Sequence, residues 1–238
     1  MNHATEPAVP TDKKALRRQL RAQRRSLLPQ RDRDADAGAI TATVSALLNT
    51  LSQPSEATAE HSPYAGQVCV AIYRSLPHEP PTEALADMLH SRGVRVIVPE
   101  TLPDLDLEWR DLRADGSEGP RLGHEGIAAA WLILTPALAV DRSGTRLGQG
   151  GGCYDRALAR RGPDAFVVAI LNDEEYAESP LPRDSHDVRV DAVITPGAGL
   201  TPIPVAQSVP SRVGGLSSLT RQGPTSARHR HRRGRPSH

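Results

Sequence analysis

Aromatic side chains are scarce in this chain of 238 residues: one Phe, two Trp and four Tyr make up 3% of it. The core must therefore be aliphatic, built from Leu, Val, Ile and Ala. Cysteine is nearly absent. Cys69 and Cys153 cannot make a disulfide framework, and no C-x-x-C spacing offers a metal site. Cys69 lies in an apolar run and reads as a small core residue. The opening MNHATEPAVPTDKK lacks the apolar centre of a signal peptide. The longest apolar run, Ala128 to Val140, contains Thr135 and Pro136 and is too short to cross a bilayer. These absences lead us to expect a reduced, cytoplasmic, soluble protein with no membrane partner.

Charge is balanced overall, with a formal net of +1, but unevenly placed. Residues 198–238 carry Arg212, Arg221, Arg228, Arg230, Arg232, Arg233 and Arg235 and no acid. Without these seven, 22 basic residues face 28 acidic ones. The segment is rich in Pro, Gly, Ser and Thr, and it is expected to be a disordered basic tail that cannot bury enough apolar surface to order itself. Arginines there could attract RNA or membrane phosphates. With no stacking aromatic nearby, a solvated tail is the preferred reading and nucleic acid is not expected as a partner.

The rest divides into a flexible start (1–11) and one domain (12–197). Asp12 is placed to cap a helix from Lys13 to about Leu28 that stops at Pro29. Leu16, Leu20 and Leu27 give it an apolar stripe. Lys13, Arg17, Arg21 and Arg24 line the adjoining face. Ile40, Val44, Leu47, Leu48 and Leu51 mark a second helix, and 52–66 reads as a loop. Apolar runs at Val68–Tyr73, Val94–Val98, Trp131–Leu134, Phe166–Leu171 and Val190–Thr195 predict buried strands. Leu105–Leu112 alternates like a half-exposed one. Helices are expected at Pro81–Ser91 and at roughly Gly152–Arg161. Buried runs alternating with helices predict an α/β fold: three α/β/α layers around a mostly parallel, Rossmann-like open sheet.

One stretch, Arg146-Leu-Gly-Gln-Gly-Gly-Gly-Cys-Tyr-Asp-Arg156, packs four glycines into five positions ahead of a predicted helix. Such a loop exposes backbone N–H groups to an anion or phosphate. It is not a dinucleotide fingerprint, because Cys153 stands where the third glycine belongs. It is not a P-loop either, because it holds no lysine. A carboxylate at Asp155 is ill suited to hold phosphate and makes sense if a metal ion rides on it. The plainer alternative is a tight strand-to-helix turn with Asp155 as an early-helix acid.

The loop, preceded by Leu134-Thr-Pro-Ala-Leu-Ala-Val-Asp141-Arg-x-Gly144, closely resembles the signature of the 5-formyltetrahydrofolate cyclo-ligase (methenyltetrahydrofolate synthetase) family. Lys13-Lys-Ala-Leu-Arg17 resembles that family's basic helix. Ile72-Tyr-Arg-Ser-Leu-Pro-His-Glu79 with Thr82 resembles its substrate strand and loop, and Pro182-Arg-Asp-Ser-His-Asp187-Val-Arg-Val-Asp191 its acidic motif. Together they span about residues 12–196.

The resemblance implies an ATP- and magnesium-dependent ligase of one-carbon metabolism. It would convert 5-formyltetrahydrofolate to 5,10-methenyltetrahydrofolate with release of ADP and phosphate, by phosphorylating the formyl oxygen. Lys13 and Arg17 would contact ATP phosphates. Arg146, Gly148, Gly150, Gly151 and Gly152 would wrap them. Arg146 and Asp155 would be the catalytic pair, and Asp155 and Asp187 the magnesium ligands. Glu79, Arg74, Tyr154 and Cys153 would face the folate, with Glu79 accepting pterin N–H groups. A monomer is expected. For the basic helix the plain alternative is a solvated face, for Asp187 a loop carboxylate, and for Tyr154 a helix residue packed on the sheet.

Two departures stand out. The family usually has an aromatic residue at the position of Cys153, and stacking on the pterin is forfeited here. Its Gly-x-x-Glu-Pro segment is also missing from Asp115-Gly-Ser-Glu-Gly-Pro-Arg-Leu-Gly-His-Glu-Gly126. Both favour the alternative of a non-catalytic nucleotide- or folate-binding relative. The intact set Lys13, Arg17, Arg146, Asp155 and Asp187 opposes it.

Overall fold

The computed structural model describes residues 12–51, 67–185 and 187–204. The expected loop 52–66 and most of the expected tail lie outside them.

Helix α1 (Lys13–Leu27) starts where Asp12 accepts hydrogen bonds from the N–H groups of Lys14 and Ala15. This satisfies two of the donors a helix start leaves open. A short 3-10 turn at Leu28–Gln30 takes Pro29 and ends it. Helix α2 (Arg33–Thr50) is capped in the same way by Asp32 and buries Ile40, Val44 and Leu47.

The main sheet has eight strands: β1 (Cys69–Ala71), β2 (Arg95–Thr101), β3 (Leu107–Leu112), β4 (Glu118–Gly123), β5 (Leu132–Pro136), β8 (Phe166–Ile170), β10 (Ala192–Thr195) and β11 (Gly199–Pro202). Their spatial order is β11-β10-β8-β5-β1-β2-β3-β4. The five central strands, β10, β8, β5, β1 and β2, are all parallel. Antiparallel strands flank them on both sides.

Helices α2 and α3 (Glu83–Ser91) cover one face, with Ile40, Val44, Leu85 and Leu89 packed against Val70, Val96, Leu134 and Ile194. Helix α4 (Cys153–Ala159) and a 3-10 turn at His124–Ala129 cover the other, through Ala157, Leu158 and Ile127. The expected three layers are therefore present. Helix α4 is shorter than the expected Gly152–Arg161. Its C-cap Arg160 has φ −96° and ψ 2°, outside helical values.

A second sheet, β7-β6-β9, joins Arg146–Leu147, Ala139–Asp141 and Tyr176–Ala177. Helix α1 rests on it, with Leu16 packed against Ala139, Leu147 and Leu181. This small sheet, rather than the large one, sets where the basic face of α1 points.

The boundary expected at residue 198 needs correction. Gly199–Pro202 pair antiparallel with β10 as strand β11, and Ile203 is buried. Composition suggested disorder, but the open edge of β10 supplies backbone partners to a segment that brings little apolar surface of its own.

The chain enters the parallel sheet at β1, steps to β2 on one side, and later returns to β5 on the other. The crevice at the carboxyl ends of β1 and β5 is therefore the point where the winding reverses, the usual ligand position in open α/β sheets.

Candidate active site

A cavity of about 570 Å³ lies at that reversal, within the usual size of small-molecule sites. Tyr73 and Arg74, just after β1, and Pro136 and Ala137, where β5 ends, line it. Helix α1 contributes Lys13 and Arg17. The loop between β7 and α4 contributes Gly148 through Gly152, followed by Cys153, Tyr154 and Asp155. Arg146, Glu79 and Asp187 complete the set. All thirteen residues expected from the sequence thus face one cavity, although they span positions 13 to 187.

The basic face of α1 is docked rather than solvated. Arg17 Nε donates to the Gly148 carbonyl at 3.0 Å. One turn on, Arg21 Nε donates to Gln149 Oε1 at 2.8 Å, and its Nη2 to the Gln149 carbonyl. Both grip the glycine loop from outside. Gly150 sits at φ +108°, a backbone conformation that L side chains rarely adopt. A Cβ there would also come within 3.4 Å of the Arg17 guanidinium.

Arg24 belongs by spacing to the basic face, yet it is only 1% exposed. It forms a two-point pair with Glu175, at 2.6 and 2.7 Å, and donates to the Ala137 carbonyl at 2.6 Å. Glu175 in turn accepts from Asn172. This network fastens α1 to the carboxyl ends of β5 and β8. Nothing in the local sequence separates Arg24 from its exposed neighbours, because its partner lies 151 residues away.

Three cation–carboxylate contacts, made by two cations, dominate the rim of the glycine loop. Lys13 Nζ lies 2.6 Å from Asp187 Oδ2 and 2.7 Å from Asp184 Oδ2. Partial burial works against the Lys13 charge, but these hydrogen bonds outweigh it and raise its pKa. Arg146 Nη2 lies 2.7 Å from Asp155 Oδ1. Asp184, a neighbour of the expected Asp187, was missed from the sequence. It sits on the acidic segment Pro182–Asp191, where its spacing alone does not mark it out from Asp187.

Glu79 is 5% exposed and accepts from the Leu76 N–H at 3.1 Å through Oε2. Arg33 holds the loop by donating to the Glu79 carbonyl, and Tyr73 by donating to that of Pro80. Tyr154 is partly buried beside Arg146, whose guanidinium carbon lies 5.7 Å from its ring centre. Burial raises the pKa of Tyr154, and Arg146 opposes this only in part. Tyr154 Oη and Arg146 Nε are buried without a hydrogen-bond partner among the described residues. Such atoms are costly unless a ligand or water completes them. Cys153 is partly buried and free of any disulfide. Glu125, in the segment that lacks the Glu-Pro pair, approaches Arg160 at 3.6 Å and does not line the cavity.

Among the described residues no cluster of three or more His, Cys, Asp or Glu could hold a metal on its own. The two carboxylates Asp155 and Asp187 do line the same cavity. Magnesium commonly takes one or two carboxylates plus water and phosphate oxygens, so this donor set suits it when a phosphate is present.

Residues 9–196 match the model of the 5-formyltetrahydrofolate cyclo-ligase family. The chain belongs to that family. A relative from Mycolicibacterium smegmatis, named 5-formyltetrahydrofolate cyclo-ligase, is 34% identical over 206 residues, covering 80% of this chain and 97% of that one. A relative of the same name from Escherichia coli K12 is 28% identical over 144 residues, covering 53% and 77%. In fold, the chain is similar to the 5,10-methenyltetrahydrofolate synthetase of Aquifex aeolicus. The TM-score is 0.57 at 22% identity, over 83% of this chain and 95% of that one. The family resemblance expected from the motifs holds, and with it the placement of the chain among ATP-dependent ligases.

Proposed function

We propose that the cavity binds magnesium-ATP beside 5-formyltetrahydrofolate and closes the folate ring to 5,10-methenyltetrahydrofolate. The observation that carries this reading is the convergence of Lys13, Arg17 and Arg146 with a glycine loop and two carboxylates, next to the buried acceptor Glu79. A nucleotide triphosphate needs the first group. A pterin, with adjacent ring N–H and amino donors, suits the last.

The formyl oxygen is a poor leaving group. It attacks the γ-phosphorus, its bond to phosphorus forms, and the bond to the ADP oxygen breaks. The neighbouring folate nitrogen then attacks the activated formyl carbon. Phosphate departs with the carbon–oxygen bond, and that nitrogen gives up its proton. Lys13, Arg17 and Arg146 hold the phosphates and offset charge on the transferring group, so positioning and electrostatics carry the step without a protein nucleophile. Glu79 orients the pterin, Tyr154 lines its pocket, and Arg74 and Cys153 stand at its wall. Magnesium, held by Asp155 and Asp187, would neutralise phosphate charge when bound.

ADP release tests this directly. ADP should accumulate when magnesium-ATP and 5-formyltetrahydrofolate are both present, and not with magnesium-ATP alone. ATP turnover indifferent to the folate would sink the reading. A relative that binds without turnover is the second reading, favoured by Cys153 at a position where an aromatic ring would stack.

A further inference from the structure

Leu105, in the turn between β2 and β3, is the one non-glycine with a positive φ among the described residues, at +66°. That conformation is unfavourable for an L side chain and persists only where the surroundings hold it. Arg156 supplies the hold. Its Nη2 donates to the Leu105 carbonyl at 2.5 Å and to the Gly151 carbonyl at 3.1 Å. The next residue of the turn, Asp106, lies 3.9 Å from Arg156 Nε and is fixed by Arg160 at 2.5 and 2.9 Å. Arg156 thus ties the glycine loop to a braced hairpin turn. Arg21 ties it to α1, through the Gln149 carbonyl and side chain. Neither arginine lines the cavity.

We propose that Arg21 and Arg156 are positioning residues that turn the N–H groups of Gly150 and Gly152 into the cavity as a cradle for phosphate. The inference rests on the reading of this cavity as a nucleotide site and adds which residues outside it orient its backbone donors.

Peptide geometry carries the assignment. In a trans peptide the C=O and the following N–H point in opposite directions, and none of the described peptide bonds is cis. Arg21 takes the Gln149 carbonyl and Arg156 the Gly151 carbonyl, each from outside the cavity. The N–H groups of the same two peptides, those of Gly150 and Gly152, therefore face the other way. Neither donates to another described residue. Gly150 and Gly152 take φ +108° and +67° while Gly151 between them does not. Such alternation turns successive N–H groups towards one point and makes an anion-binding concavity. Gly152 is also too close to Arg156 for a side chain, since a Cβ there would lie 3.1 Å from Nη1. The strained backbone at Leu105 acquires a purpose in this arrangement: it aims a second carbonyl at Arg156 and fixes the guanidinium that orients the loop.

Calorimetric titration of the full chain with tripolyphosphate, magnesium-ATP and 5-formyltetrahydrofolate tests the proposal. Arg156→Met and Arg21→Met should each bind the two phosphate compounds about tenfold more weakly than the unmodified protein, and the folate equally well. The ratio between variant and unmodified protein should persist at about 1 M potassium chloride, where the screening length is roughly 3 Å and a remote charge no longer acts. Thermal melts establish which variants are folded. Should Arg156→Met not fold, Arg21→Met, whose contacts are at the surface, carries the test. Unchanged phosphate affinity in folded variants, equal weakening of all three ligands, or a ratio that falls to one at high salt would overturn the positioning role while leaving the nucleotide site standing. Failure of the unmodified protein to bind either phosphate compound would overturn both.

Discussion

Arg24 and Glu175 form a buried two-point ion pair that joins the first helix to a turn beyond β8, 151 residues away in sequence. The same guanidinium donates to the carbonyl of Ala137, a residue of the cavity wall. The pair therefore fixes the helix that carries Lys13 and Arg17 to the strand ends that form the floor of the site.

Arg24→Met should leave Glu175 as an unpaired buried charge and cost about 3–5 kcal/mol, measured by urea unfolding. Adding Glu175→Gln to that variant should recover part of the loss. If the single variant unfolds like the unmodified protein, the pair does not anchor the helix.

Asp141 should contribute to acid stability. Its buried carboxylate accepts from the N–H groups of Ser143, Thr145 and Leu181 and from the Ser143 hydroxyl. Burial alone would raise its pKa, but these hydrogen bonds outweigh it and the net shift is downward. A depressed carboxyl pKa adds stability that is fully present above the unfolded value, near 4, and is lost as pH falls through the folded value. Asp141→Asn should be less stable at neutral pH by about 1–3 kcal/mol. Its stability should also vary less with pH below 4, as followed by thermal melts across that window. A variant with the same acid slope as the unmodified protein would contradict this assignment.

Cys153 lines the cavity, at the position where the family resemblance implies an aromatic ring. Cys153→Tyr should restore stacking on the pterin and lower KM for the folate by about two- to tenfold, leaving KM for ATP unchanged. Steady-state kinetics with each substrate varied in turn measures both. An unchanged folate KM would place the pterin elsewhere in the cavity.

The parallel core was legible because its strands are continuous apolar runs. Val68–Tyr73, Trp131–Leu134 and Phe166–Leu171 predict strands covered on both faces, and all but the first residue of each run is buried. Strands β4, β6, β7, β9 and β11 were not legible. They are two to six residues long, and β4 reads Glu-Gly-Pro-Arg-Leu-Gly. Pairing partners define them rather than their own pattern, and this also explains why the tail boundary fell short at residue 198. The convergence of these residues on one cavity was legible through motif order. Which cation faces the cavity and which braces the scaffold was not, since Arg17, Arg21 and Arg24 look alike until Gly148, Gln149 and Glu175 are brought to them. Asp184 was obscured similarly. Its meaning comes from Lys13, 171 residues distant.

The central claim is tested most directly by the near-ultraviolet absorbance of the methenyl product on mixing the protein with magnesium-ATP and 5-formyltetrahydrofolate. The account predicts a rise that requires both substrates. It also predicts that Asp155→Asn suppresses the rise while folate binding survives. No rise from the unmodified protein, with ATP binding retained, would contradict it.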